Sequence, residues 1–265
     1  RVKMIAVCSA GTNHIDLEYA MQLGIRIQNA PGINCNAVAE LTISKLLDVS
    51  RFTMEANREV QEDHIWNKYK YTGHELKGHT LGVIGLGKIG SRVAQLAQAF
   101  GMTVKAYDPY VDGAVMAEKG VEKVDSVLEL CSQADYLTVH TPLTAETKGI
   151  VGAKELAAMK DGSIVVNCAR GGLTDTEALI EGIESMQIGA LGMDTAEGEE
   201  GIIHCDRRSD IIANRNWFYL HQFRNVIMTQ HMAFYTEQAV DSMVQCGIEG
   251  IVKMAEEGTY PTMLD

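Results

Sequence analysis

The sequence has few of the features that mark nucleic-acid-binding or membrane proteins. Its 23 basic residues are outnumbered by 35 acidic ones, which gives a formal net charge of −12. Nucleic acid and anionic membrane surfaces attract proteins through basic patches, so neither partner is expected. No apolar run approaches the roughly 20 residues that cross a bilayer. We therefore expect a soluble, cytoplasmic protein.

Cysteine and proline patterns exclude further classes. No pair among the six cysteines has the C-x-x-C spacing of a metal or redox site. We expect reduced thiols, as in cytoplasmic proteins, and no metal site. Four prolines in 265 residues leave little room for a proline-rich linker.

What the chain does contain is a regular alternation of short β-branched runs with helical patterns. This alternation predicts an α/β fold with a doubly wound parallel (Rossmann) sheet covered by helices. Two capping-box patterns, which begin at Ser126 and Thr174, indicate helix starts. The six predicted strands of this sheet are Leu81–Ile84, Val104–Tyr107, Tyr136–Val139, Ile164–Asn167, Ala190–Met193 and Val226–Thr229.

The first 33 residues read as a separate strand–helix–strand unit, with strands at Val2–Cys8 and Ile25–Gln28 around a helix at Leu17–Leu23. One such unit cannot bury both faces of its sheet, so we expect residues 1–33 to be part of a larger half-domain. A long helical pattern starts at Asn36 and opens a second predicted domain over residues 34–232, which contains the Rossmann sheet. The C-terminal segment, residues 233–265, is expected to return to the first half-domain through a helix at Thr236–Met254.

A glycine-rich turn follows the first predicted Rossmann strand. Gly85 allows a tight turn, Gly87 lets the backbone approach a pyrophosphate, and Gly90 permits close packing of helix and strand. The next strand ends in Asp108, whose carboxylate can bind a ribose diol and repel a 2′-phosphate. We therefore predict NAD rather than NADP. A methyltransferase uses a similar turn and acid, so these residues alone do not decide the chemistry.

Three polar segments follow the last predicted strands, where ligands bind in open parallel sheets. Arg170 can hold a carboxylate through two parallel hydrogen bonds. An acidic segment, Asp194 to Glu199, and His231 are expected to lie at the same edge of the sheet. An arginine, an acid and a histidine beside a nucleotide favour an oxidoreductase that acts on a carboxylate substrate.

These segments resemble those of the D-isomer-specific 2-hydroxyacid dehydrogenase family, most closely its D-lactate and D-2-hydroxyisocaproate dehydrogenases. The resemblance covers nearly the whole chain and rests on six motifs: Ala-Gly-Thr-Asn-His-Ile-Asp (10–16), Asn-Ala-Val-Ala-Glu (36–40), Gly-Leu-Gly-Lys-Ile-Gly (85–90), Val-Asn-Cys-Ala-Arg-Gly (166–171), Met-Asp-Thr-Ala-Glu-Gly-Glu (193–199) and His-Met-Ala-Phe-Tyr-Thr (231–236).

The resemblance implies a domain plan, a function and a set of site residues. Residues 1–33 would be part of a flavodoxin-like catalytic half-domain to which residues 233–265 return, and residues 34–232 would form the NAD-binding Rossmann domain. Arg170, Glu199 and His231 would form the catalytic trio, with Glu199 rather than Glu197 as the partner of His231. Arg170 and His231 would also contact the substrate, together with the backbone N–H groups of Ala10 and Gly11. Asp194 would contact the nicotinamide carboxamide. The remaining positions expected to line the cofactor, beside Arg170, are Lys88, Ile89, Thr141, Pro142, Thr147, Cys168 and Ala169.

The implied reaction is the NADH-dependent, reversible reduction of a 2-oxo acid to an (R)-2-hydroxy acid. Ile33 occupies a position where pyruvate-reducing members usually carry a tyrosine, and Met232 and Phe234 add apolar surface. We therefore expect a branched or aromatic 2-oxo acid. Two alternatives stay open: a D-lactate dehydrogenase that acts on pyruvate, and a non-enzymatic NAD-sensing protein of the same fold. The helix from Asn36 also resembles the family's dimerisation region, so we expect a homodimer.

Overall fold

The computed structural model describes residues 2–12, 14–203, 205–206, 208, 214–260 and 262–264. These residues form two compact units. The smaller unit comprises Arg1–Val38 with Phe234–Asp265, and the larger comprises Ala39–Ala233. The divisions lie within a few residues of the expected boundaries at 33/34 and 232/233.

Ten strands and ten α-helices occur in the described part of the chain. The strands are β1 (Met4–Ala6), β2 (Arg26–Gln28), β3 (Thr80–Ile84), β4 (Thr103–Tyr107), β5 (Glu122–Lys123), β6 (Tyr136–Val139), β7 (Ser163–Asn167), β8 (Ile188–Met193), β9 (Val226–Met228) and β10 (Met263–Leu264). The helices are α1 (Leu17–Gln22), α2 (Cys35–Arg51), α3 (Thr53–Glu62), α4 (Lys88–Ala99), α5 (Gly113–Glu118), α6 (Val127–Gln133), α7 (Ala153–Ala157), α8 (Thr176–Glu184), α9 (Arg215–Leu220) and α10 (Glu237–Glu257).

The larger unit is built on a seven-stranded sheet of parallel neighbours in the order β5-β4-β3-β6-β7-β8-β9. The chain moves outward from β3 in both directions, so the switch point lies between β3 and β6. This is the predicted Rossmann architecture, with six strands where the sequence indicates them. The seventh, β5, consists of exposed Glu122 and Lys123, which give no apolar run from which a strand could be predicted.

Two local predictions in the larger unit are wrong. The long helical pattern from Asn36 is divided at Phe52, whose φ of 54° lies in the left-handed region and cannot continue a right-handed helix. Ser126 caps α6 as expected, but α8 is capped by Asp175 rather than Thr174. The Thr174 hydroxyl instead donates to the carbonyl of Gly171, and the N–H of Ala178 donates to the Asp175 carboxylate.

The smaller unit has a three-stranded sheet in the order β1-β2-β10, with β1 parallel and β10 antiparallel to β2. The sequence does not predict β10, which is only two residues long. Helix α10 packs against β1. It begins after Thr236, whose hydroxyl accepts from the N–H of Ala239, and it ends at Gly258 with a φ of 75°.

Candidate active site

The glycine-rich turn joins β3 to α4 at the switch point of the large sheet. Gly85 has a φ of 87°, and a methyl group there would lie 2.9 Å from the backbone of His140 and Thr141. A methyl group at Gly90 would collide with the carbonyl oxygen of Gly85. Gly87 begins α4 without a side-chain cap, and a methyl group there would meet no other atom within 4 Å. The first turn of α4 therefore faces open space, which fits a bound pyrophosphate.

Asp108 follows β4 and lies beside this turn. One of its carboxylate oxygens accepts from the N–H of Leu86 at 2.8 Å, and the other accepts from the N–H of Tyr110 at 2.9 Å. A carboxylate offers about four acceptor positions, so each oxygen retains capacity for a ribose hydroxyl. The residues of this region fit the adenosine half of NAD.

The other residues expected to line the cofactor surround the same edge. Lys88 and Ile89 open α4, and Thr141 and Pro142 follow β6 next to Gly85. The hydroxyl of Thr147 donates to the carbonyl of Pro142 at 2.6 Å, which ties down the loop after β6. The cofactor contacts of these residues remain predictions.

His231 and Glu199 are in direct contact. His231 Nδ1 lies 2.6 Å from Glu199 Oε1, and the two side chains are 22% and 17% exposed. The second oxygen of Glu199 accepts from the N–H of Ala196 at 2.9 Å, so the carboxylate is held in place on both sides. Glu197 is half exposed, with Lys148 Nζ at 4.0 Å. Of the two acids, the structure pairs Glu199 with His231.

The turn that carries His231 is organised by Asp194, a task that sequence reasoning does not assign to it. Asp194 is 1% exposed, and its carboxylate accepts from the hydroxyl of Thr229 and from the N–H groups of Met232 and Ala233 at 3.0 and 2.7 Å. Its carbonyl accepts from the N–H of His231 at 2.7 Å. Three hydrogen bonds leave about one acceptor position for the predicted carboxamide contact. An acid directly after a buried strand is the only sequence signal for this role.

Arg170 lies in a loop braced by a residue that sequence reasoning misses. Asn167 ends β7 and is fully buried; its side chain accepts from the N–H of Ala169 at 3.0 Å and donates to the carbonyl of Arg170 at 2.8 Å. Gly171 packs so tightly against Ala196 that a methyl group there would collide with the backbone. The Arg170 loop and the loop that leads to Glu199 are thus fixed against each other. A lone polar residue at the end of an apolar strand could have signalled Asn167.

Arg170, Asp194 and His231 follow three neighbouring parallel strands, β7, β8 and β9. The carboxyl ends of these strands meet at one edge of the sheet, so Arg170, Asp194 and His231 share that edge. Cys168 lies there too and is buried, which raises the pKa of its thiol to about 12. A neutral thiol fits a small residue lining a pocket and not a nucleophile.

The predicted substrate residues of the smaller unit occupy two loops. Ser9 Oγ donates to the carbonyl of Gly11 at 2.7 Å, and Asn29 Nδ2 donates to the carbonyl of Ala10 at 2.8 Å. Ile33 and Phe234 pack against an apolar cluster of their own unit, formed by Ala30, Ala37, Ala239, Met243 and Cys246. Met232, in the larger unit, is 39% exposed. Of the three apolar residues expected around the substrate, two are therefore engaged in packing.

The described residues contain neither a candidate membrane span nor a candidate metal site. No helix among them is long and apolar enough to cross a membrane. No group of three or more histidine, cysteine, aspartate or glutamate side chains is placed to hold a metal ion within that part of the chain.

A family model, described as the NAD binding domain of D-isomer specific 2-hydroxyacid dehydrogenase, matches residues 43–233. Among curated proteins, the chain is 43% identical over 199 residues to D-3-phosphoglycerate dehydrogenase of Methanocaldococcus jannaschii, covering 75% of this chain but only 38% of that protein's length. It is 35% identical over 261 residues to an aromatic 2-oxoacid reductase of Clostridium sporogenes, covering 97% of this chain and 77% of the relative.

A solved structure extends the likeness. The D-lactate dehydrogenase of Aquifex aeolicus, complexed with NAD and lactic acid, is 33% identical with a TM-score of 0.85, and the match covers 97% of this chain and 77% of that one. The matched NAD-binding domain confirms NAD as the cofactor, and these relatives confirm the class of enzyme expected from the sequence, an NAD-dependent 2-hydroxyacid dehydrogenase. The chain belongs to the D-isomer-specific 2-hydroxyacid dehydrogenase family.

Proposed function

We propose that the protein catalyses the reversible, NADH-dependent reduction of a 2-oxo acid to an (R)-2-hydroxy acid. The observation that carries this proposal is the contact of 2.6 Å between His231 and Glu199, at the sheet edge that also bears Arg170. A half-buried histidine held by a carboxylate, at the sheet edge that also bears an arginine able to bind a carboxylate, matches the needs of this reaction.

Arg170, Glu199 and His231 each have a different proposed role in the reaction. NADH, when bound, supplies the hydride that reduces the 2-oxo carbon. Arg170 binds the substrate carboxylate and stabilises negative charge near the reacting carbonyl. Glu199 holds the Nδ1 side of the His231 ring through their contact of 2.6 Å and so fixes the orientation of the ring. Proton donation to the carbonyl oxygen is then the task of Nε2, on the opposite side of the ring.

The substrate that we propose is a branched or aromatic 2-oxo acid. Ile33 cannot donate the hydrogen bond that a tyrosine would supply at this position, and Met232 offers exposed apolar surface. Each extra buried methylene of a substrate contributes about 0.8 kcal/mol. Ile33 and Phe234 pack against an apolar cluster of their own unit, which reduces the apolar surface that they can present to a substrate. Met232 is therefore the stronger support for an apolar substrate.

The test is kcat/KM for pyruvate, 2-oxoisocaproate, phenylpyruvate and 2-oxoglutarate. We expect an apolar substrate to exceed pyruvate by about 10-fold or more, the worth of two buried methylenes. Ile33→Tyr should shift the preference toward pyruvate, with Ile33→Leu as the matched control. A clear preference for pyruvate would favour the D-lactate alternative. NADH binding without turnover on any of these acids would favour an NAD-sensing protein.

We also propose a homodimer and a cytoplasmic location. The dimer is supported by large exposed side chains on α3 and just after it: Met54 is 53%, Trp66 is 88% and Tyr69 is 85% exposed. Aromatic residues on an exposed patch are typical of protein interfaces. Light scattering should give twice the chain mass for the wild type, and Trp66→Ser should shift it toward the monomer. A monomeric wild type would contradict the proposed dimer.

A further inference from the structure

The larger unit buries a lysine that the proposed function does not use. Lys45 lies on α2, is 2% exposed and is among the largest fully buried side chains of the described residues. Its Nζ is buried and has no hydrogen-bond partner within the described part of the chain. Lysine is almost never fully buried without a partner because its charge loses hydration. Its presence therefore calls for a compensating charge nearby.

The stem of Lys45 lies over Gly192 in β8. A methyl group on Gly192 would lie 3.1 Å from Cβ and 3.5 Å from Cδ of Lys45, so a glycine at this point of the strand leaves room for the stem. Asp194 comes two residues later, directly after β8. The lysine thus lies beneath the strand whose end holds Asp194 and the turn of His231.

The charges around Lys45 identify its counterpart. Burial lowers the pKa of Lys45, while interactions with Cys168, Asp194 and Asp48 oppose that lowering. The pKa of the Cys168 thiol is raised to about 12 by burial, so this group stays neutral near pH 7. Asp48 is half-buried and already bonded to the hydroxyls of Ser44 and Thr53. Asp194 is the more deeply buried carboxylate and the one at the sheet edge.

We propose that Lys45 is a positioning residue that sets the preference of the nicotinamide site for the reduced cofactor, by offsetting the buried negative charge of Asp194. The inference rests on the proposed function and on the contact between Asp194 and the nicotinamide carboxamide that the family resemblance implies. The oxidised nicotinamide ring is a cation and the reduced ring is neutral. An uncompensated carboxylate beside the ring would favour the oxidised form, and a buried ammonium that balances this carboxylate removes that advantage.

The test compares the binding of the two cofactor forms without substrate. Lys45→Met keeps an apolar stem of similar length and removes the charge, and Lys154→Met removes an exposed lysine of the same unit as the matched control. Titration calorimetry gives Kd for NAD+ and for NADH. We expect the ratio Kd(NAD+)/Kd(NADH) to fall by about 10-fold in Lys45→Met, the scale of one unit charge across a partly buried distance. The ratio should not change in Lys154→Met.

The outcomes separate this inference from the proposed function. A wild type that binds neither cofactor form would contradict the proposed function. Normal binding with an unchanged ratio in Lys45→Met, or equal changes in both Kd values, would overturn the role of Lys45 alone. Removing one partner of a buried charge pair destabilises a protein, so urea unfolding first checks that Lys45→Met folds. If it does not, Lys45→Gln provides the same comparison, with the same result required.

Discussion

The backbone of His231 makes a clean test of the proton donor possible. Its φ of 54° lies in the left-handed region, where asparagine is tolerated better than most residues. Asp194 shapes this turn by accepting hydrogen bonds from backbone N–H groups and from the hydroxyl of Thr229, and these hydrogen bonds do not involve the imidazole. His231→Asn should therefore remove the ring and keep the turn.

We expect His231→Asn to lower kcat by about 10²–10⁴-fold, the usual contribution of a general acid. The free energy of unfolding should remain close to that of the wild type. His231→Val is the backbone control: it removes the same ring but adds about 1–2 kcal/mol of strain in the left-handed region. Following the loss of NADH absorbance gives kcat, and urea unfolding gives the stability.

A double variant, His231→Asn with Glu199→Gln, tests whether Glu199 acts through His231. If it does, the double variant should be about as slow as His231→Asn alone, because the effects of residues that act together are not additive. A His231→Asn protein that is equally stable and keeps kcat within about 10-fold of the wild type would refute the assignment of His231 as general acid.

Three further predictions concern the cofactor, the pH dependence and the packing of the loops. Asp108→Ala should narrow the preference for NADH over NADPH in steady-state kinetics, and a wild type that uses both equally well would contradict the role of Asp108. Burial lowers the pKa of His140 to about 3, against roughly 6.5 when unfolded, so the unfolded state binds more protons between these values. Stability should fall as pH drops below about 6.5, by at most about 1.4 kcal/mol per unit from this group, and His140→Gln should flatten the dependence seen in urea unfolding at different pH values. Gly171→Ala should destabilise the protein by about 1–3 kcal/mol through collision with the neighbouring loop, whereas a methyl group at Gly172 meets only the side chain of Leu143 at 3.4 Å; equal stability of the two variants would contradict this packing.

The parts of the fold that sequence reasoning predicts are those with a one-dimensional pattern. Buried strands such as Ile164–Asn167 are continuous apolar runs, and the glycine turn after β3 has a fixed spacing. Strand β5 has no such pattern because both of its residues are charged and exposed. Its two residues pair with Lys105 and Ala106 of β4 at the edge of the sheet.

The candidate site shows the same division. Arg170 and His231 are visible in the sequence because each follows a predicted strand. The support that holds them is not visible, since the hydrogen bonds of Asn167 and Asp194 depend on how loops fold back in three dimensions. In the sequence, Lys45 cannot be distinguished from other helix residues. Only the structure shows that its stem lies over Gly192.

The proposed mechanism is a stereospecific reduction of 2-oxo acids in which His231 donates the proton. The most direct measurement is chiral analysis of the product formed from a 2-oxo acid and NADH by the wild type and by His231→Asn. We expect the (R)-2-hydroxy acid, formed in equal amount to the NADH consumed, and a rate that falls by about 10² or more in the variant. Formation of the (S)-isomer, or no consumption of NADH by a wild type that binds it, would contradict this mechanism.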